Sequence, residues 1–184
     1  QINPPEHPLR GRNAIVSSLR NWHSPHEHLL PTSVKTAIAG EIDVETRSAR
    51  YRLSRERFLV VNAWERYTFK IPPGSTARTF SIFFRPRYVP SLEASLMRSH
   101  EALLDRDANE KLPAYLELPE TSYPATSYQI GRRLRALFDA WQRNASPHCL
   151  ADRFRSVTEA LVCLRAGALS RVHRIDVAKA STRQ

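Results

Sequence analysis

Residues 34 to 85 alternate apolar and polar side chains with a period of two, and residues 127 to 180 carry apolar side chains at helical spacing. A period of two suits an extended strand and a period near 3.6 suits an amphipathic helix, so the two halves fold into different secondary structure. Val34, Thr36 and Ile38 alternate with Lys35, Ala37 and Ala39 until Gly40. Ile42 and Val44 alternate with Glu41, Asp43 and Glu45, which read as a solvated outer face. Thr46-Arg47-Ser48-Ala49 reads as a hairpin turn, and Tyr51 and Leu53 resume the alternation. Phe58-Leu59-Val60-Val61 is apolar without interruption, as expected of a strand covered on both faces. Tyr67, Phe69 and Ile71 form a strand stopped by Pro72-Pro73-Gly74, and Phe80, Ile82 and Phe84 form another stopped by Pro86. Ile15 to Leu19 supplies a further strand, whereas residues 23 to 31 read as a polar loop or edge segment. Short strands at this spacing predict a small antiparallel sandwich or barrel.

Ser91 is an N-cap candidate for a first helix with Leu92, Leu96, Leu103 and Leu104 on one face. Prolines at 113, 119 and 124 break the pattern, with residues 115 to 118 a candidate short strand. Ile130, Leu134, Leu137, Phe138 and Trp141 then fall on one helical stripe. Ser146-Pro147 is a helix start, and Leu150, Phe154, Val157, Leu161 and Leu164 form a second stripe. The fold class expected is α+β, with a β core over residues 1–90 and a helical region over 91–184.

The 184 residues are 41% hydrophobic, enough for one sizeable core. The longest apolar runs are a few residues, so no membrane-spanning helix is expected, and the start of the chain lacks the pattern of a signal peptide. Cys149 and Cys163, both in expected helix, fit thiols in a reducing cytosol, which places the protein in the cytoplasm. The net charge of +10 comes almost wholly from arginine, 24 of the 28 basic residues. These arginines are dispersed, and the densest cluster, Arg132-Arg133-Leu134-Arg135, suits the solvated face of a helix. There is no Gly-x-Ser-x-Gly, no glycine-rich phosphate loop and no Cys-x-x-Cys, and five glycines leave little for a cofactor cradle. Neither catalytic residues nor a cofactor are expected.

The run 34 to 41, the segment Arg50-Tyr51-Arg52-Leu53, residues 57 to 62 and Tyr67-Thr68-Phe69 together resemble a cupin-type, jelly-roll antiparallel β-barrel. More narrowly, they resemble the N-terminal sensor domain of AraC-type transcription regulators. The tail, residues 174 to 183, is similar to the linker that precedes the helix-turn-helix pair in such regulators. The resemblance implies a non-enzymatic, ligand-sensing and dimerising domain. Its partners would be an unidentified small-molecule effector, a second copy of the chain, and DNA through a domain beyond Gln184.

Metal-binding cupins use His-x-His, then Glu, then Gly. Here His26-Glu27-His28 and Gly40 fit, Ser33 stands in the Glu position, and Tyr67 is nearest to the place of the third histidine. Two imidazoles without a carboxylate make a poor divalent-metal cage, so no metal is expected. The alternative is a small cupin metalloenzyme using His26 and His28. Pocket candidates are Trp22, His26, His28, Trp64, Tyr67, Phe80, Ile82 and Phe84; the histidines would otherwise be solvated and the others core. The stripe Leu150, Phe154, Val157, Leu161 and Leu164 is expected to form a homodimer interface, the other reading being a helix that caps its own barrel.

Overall fold

The computed structural model describes Leu9 and residues 11–21, 24–105, 107, 110–118 and 122–181. The strands are β1 (Ala14–Arg20), β2 (Ser24–Leu29), β3 (Ser33–Ala39), β4 (Ile42–Thr46), β5 (Arg50–Leu53), β6 (Arg57–Val61), β7 (Arg66–Lys70), β8 (Ala77–Phe83) and β9 (Ser122–Pro124). The helices are α1 (Tyr88–Met97), α2 (His100–Leu104), α3 (Ile130–Gln142) and α4 (Pro147–Ser181), with a 3-10 turn at Ser127–Gln129 before α3. The strands form two sheets rather than one closed barrel, in the orders β1-β8-β3-β6-β9 and β2-β7-β4-β5, with antiparallel pairing throughout. This is the expected α+β class, with the jelly-roll strands laid out as a sandwich.

One core lies between the sheets. Ala37, Leu59, Val61 and Ala77 from the larger sheet meet Ile42, Val44, Leu53 and Tyr67 from the smaller. A second core covers the other face of the larger sheet, where Val34, Phe58, Val60, Phe80, Ile82 and Phe84 pack under α3 and α4. Phe80 meets Phe138 edge-on at 5.2 Å, and Phe84 meets Phe154 at 5.4 Å. The larger sheet is therefore buried on both faces, which explains the uninterrupted apolar run in β6. Gly40 makes the β3–β4 turn at φ 71°, where a Cβ would sit 2.3 Å from the Thr76 carbonyl oxygen. Only glycine fits there without moving backbone.

Several expectations change. Phe154, Val157, Leu161 and Leu164 are at most 5% exposed, and Leu150 packs against the same core. This stripe caps the sheet of its own chain, so it is not the homodimer interface. Burying the outer face of the larger sheet already consumes it. The first helix starts at Tyr88 rather than Ser91, behind a left-handed Arg87. Residues 115 to 118 pair with no strand. Instead the Asn62 side-chain amide brackets Leu118, donating to its carbonyl at 2.8 Å and accepting from its N–H at 3.0 Å. The segment expected as a polar loop or edge includes β2, the edge strand of the smaller sheet. Asp43 is not solvated: it is 4% exposed, with Arg50 at 2.6 Å and Arg52 at 2.9 Å. The Ser146 hydroxyl accepts from the Cys149 N–H at 3.3 Å, capping α4, whose backbone runs on through Ser181.

Leu161→Ala should lower the stability by about 2–5 kcal/mol in urea unfolding, the range for a fully buried leucine. Leu161→Glu should leave no folded monomer. A folded Leu161→Glu monomer would return the stripe to an interface role.

Candidate functional site

Between the two sheets, beside the edge strands β1 and β2, lies a cavity of about 160 Å³. Val16, Leu30, Ile42, Phe69, Ile71 and Phe83 give it apolar walls. Its polar lining is Ser18, Arg20, His28, Lys35, Tyr67, Thr79 and Ser81. Three of these are basic types, and no carboxylate is among the described residues that line it.

The residue that sets its chemistry is Lys35. It sits on β3, paired on one side with β8 and on the other with β6, opposite Ser81 and Leu59. Val34 and Thr36 project toward the helices, so Lys35 must project between the sheets. The side chain is 1% exposed, and its ammonium has no hydrogen-bond partner among the described residues. It lies 4.5 Å from the ring centres of Tyr67 and Phe83, and 5.3 Å from that of Phe69. The ring faces give a cation some compensation for lost water, but not a counter-ion. Burial accordingly pulls the Lys35 amine from 10.5 to about 7. Tyr67 is 1% exposed, its hydroxyl also lacks a partner among the described residues, and burial pushes its phenol above the usual range. Lys35 thus lines the cavity with its nitrogen held against the rings of Tyr67 and Phe83 at the end of a flexible four-carbon stem.

Of the pocket candidates, the structure brings His28 and Tyr67 together on the cavity wall, with ring centres 5.4 Å apart. Phe80, Ile82 and Phe84 are on the opposite face of β8 and its continuation, in the core under the helices. The period of two was right for this strand, but the aromatic face belongs to the helices, leaving Thr79, Ser81 and Phe83 to the cavity. Trp64 lies in the β6–β7 turn at φ 64°, edge-on to Tyr115 at 6.2 Å, away from the cavity lining. Trp22 lies outside the described residues, as does the side chain of His26, whose backbone is in β2. Ser33 is fully buried on β3. No three His, Cys, Asp or Glu side chains come together as metal donors among the described residues.

Lys35 escaped the sequence reading because alternation put it on the solvent side of its strand. The signal was present in β6, whose unbroken apolar run required two covered faces. The sheet partner of such a strand is covered twice as well. Asp43 does lie on the outer face of the smaller sheet, where Arg50 and Arg52 cover it. The Arg52 guanidinium, with Arg50 adding to it, holds its carboxyl below the usual carboxylate range.

No protein-family model matches this sequence, and no curated protein matches it. Among solved structures, wild-type ToxT from Vibrio cholerae strain SCE256, with an unsaturated fatty acid bound, is similar at 10% identity over 88% of this chain and 55% of that one, with a TM-score of 0.49. AerE from Microcystis aeruginosa is similar at 16% identity over 38% of this chain and 35% of that one, with a TM-score of 0.35. A protein provisionally assigned as a mannose-6-phosphate isomerase, from Ralstonia eutropha JMP134, is similar at 17% identity over 46% of this chain and 90% of that one, with a TM-score of 0.36. The chain thus spans about half the length of that ToxT and a third of AerE. No helix among the described residues is long and apolar enough to cross a membrane.

Lys35 should leave a mark on the pH dependence of stability. Its folded-state pKa, about 7, lies below the unfolded value of 10.5, so between the two the unfolded chain binds more protons. Stability therefore rises with pH through that window, and the full penalty applies below it. Lys35→Met removes the penalty and should be the more stable protein near pH 7. Its advantage in urea unfolding should narrow by about 1.36 kcal/mol per pH unit toward pH 10.5. An advantage that does not vary with pH would show that the amine is solvated.

Proposed function

We propose that this chain is the ligand-sensing domain of a transcription regulator, and that its ligand is a small carboxylic acid with an apolar body. The observation that carries this is Lys35, a buried amine with no acceptor among the described residues, in the wall of a cavity to which those residues contribute no carboxylate. A bound carboxylate would supply the missing counter-ion, with the Tyr67 hydroxyl and His28 beside it, and the apolar walls would take the rest of the ligand.

The sensing reading is supported by the sequence resemblance to AraC-type sensor domains and by the position of Lys35 in the fold. β3 carries Lys35 on its inner face and Val34 and Ile38 on its outer face, against the core that holds α3 and α4. A ligand that draws the amine inward acts on the strand that supports both helices. That contact would then differ between ligand-free and ligand-bound states, which is what a population shift requires. The output would pass along α4 to a DNA-binding domain beyond Gln184. Two copies would pair so that two readers span two half-sites, through a surface other than the Phe154 to Leu164 stripe. The reading is of a binding domain and not an enzyme.

Octanoate should raise the melting temperature of the domain, whereas octanol should not. At a hundredfold excess over Kd the stabilisation is about 2.7 kcal/mol, or roughly 5–10 °C for a chain of this size. Lys35→Met should abolish the shift. Because the carboxylate needs the protonated amine, affinity should hold below pH 7 and fall about tenfold per pH unit above it. Equal stabilisation by octanol, or an undiminished octanoate shift in Lys35→Met, would overturn the acid assignment.

A further inference from the structure

We infer that Lys35 is also a covalent capture site for small apolar aldehydes, its amine closing on the carbonyl carbon to form an imine inside the cavity. This goes beyond the acid reading: that reading uses the protonated amine, and capture uses the neutral one.

The geometry provides the parts. The amine sits at the end of a flexible stem in the wall of a largely apolar cavity, and it forms no hydrogen bond with any described residue. No acidic side chain among the described cavity residues holds it as an ion pair. Tyr67 places a phenolic hydroxyl in the same wall, and burial keeps that hydroxyl protonated. An imine is smaller in charge than an ammonium, so it suits walls made of Phe69, Phe83 and Ile42 better than the free cation does.

The chemistry balances without any further reagent. The nitrogen lone pair forms an N–C bond to the aldehyde carbon, and the carbonyl π electrons move to oxygen. A proton passes from nitrogen to that oxygen, giving a carbinolamine. The nitrogen lone pair then expels the hydroxyl, which leaves as water with the second nitrogen proton. One water is released, nothing is oxidised or reduced, and water returning to the cavity reverses the step. Apolar walls favour the imine by limiting that water.

The other lysines provide the contrast. The chain has four, and Lys70 is paired with Glu45 while Lys111 is exposed. At neutral pH about half of the Lys35 amine is unprotonated, against roughly one in a few thousand for an ordinary lysine.

The test is reductive trapping with hexanal and sodium cyanoborohydride at neutral pH, followed by peptide mass mapping. Lys35 should be alkylated well ahead of Lys70, Lys111 and Lys179, with an apparent midpoint near pH 7. Lys35→Met should lose that adduct while keeping its circular dichroism. Tyr67→Phe should slow capture and leave the site of labelling unchanged. Protection of Lys35 by octanoate supports both readings. Labelling of Lys35 in a protein whose melting temperature octanoate does not move upholds capture and sinks the acid reading. Labelling confined to the α-amine or spread evenly over the lysines overturns capture, whatever octanoate does.

Discussion

The middle of the five-stranded sheet has no solvent face, and the rest of the molecule follows from that constraint. Its inner face closes against the four-stranded sheet, and its outer face is closed by α3 and α4. The strands at its centre must therefore bury the side chains of their covered stretch, whichever way those side chains point. For β6 this is met by Phe58, Leu59, Val60 and Val61, all at about 1% exposure or less. For β3 it is met by Val34 and Ala37, but also by Ser33, Lys35 and Thr36. The burial of Lys35 is thus imposed by its strand and not by any ion pair that rewards it.

A fold seldom tolerates such a residue without a use for it. A buried amine with no acceptor opposes folding, and Met in its place would pack the same volume with no charge to desolvate. Contrast Asp43 on β4, 4% exposed and clasped by Arg50 and Arg52. The same fold satisfies one buried charge with two partners and leaves the other facing a cavity. Departures of this kind from local consistency mark functional sites. Here the departure coincides with a feature a small molecule could use, an apolar cavity flanked by His28 and Tyr67.

The period-two and helical patterns made the class of fold legible, down to most strand positions and the Ser146 cap of α4. They could not say which sheet face meets which layer, because alternation gives two sets of residues and not their partners. Phe80, Ile82 and Phe84 were found as a set but belong under the helices. The Phe154 to Leu164 stripe was found as a set but belongs to the core. His28 and Tyr67 could be recognised as chemistry-bearing residues near strand ends. Lys35 could not, since a lysine in an alternating strand points to water in any sheet with one free face. What overrides that expectation is tertiary: two helices from the far end of the chain cover β3.

The most direct measurement is the titration of the Lys35 side chain itself, followed through its ¹³Cε resonance and assigned by its absence in Lys35→Met. With four lysines in the chain, the spectrum is simple. The account predicts a midpoint near 7 for Lys35 in the ligand-free protein. A midpoint near the ordinary lysine value of 10.5 would contradict it, because an amine that titrates like a solvated one is not enclosed between the sheets.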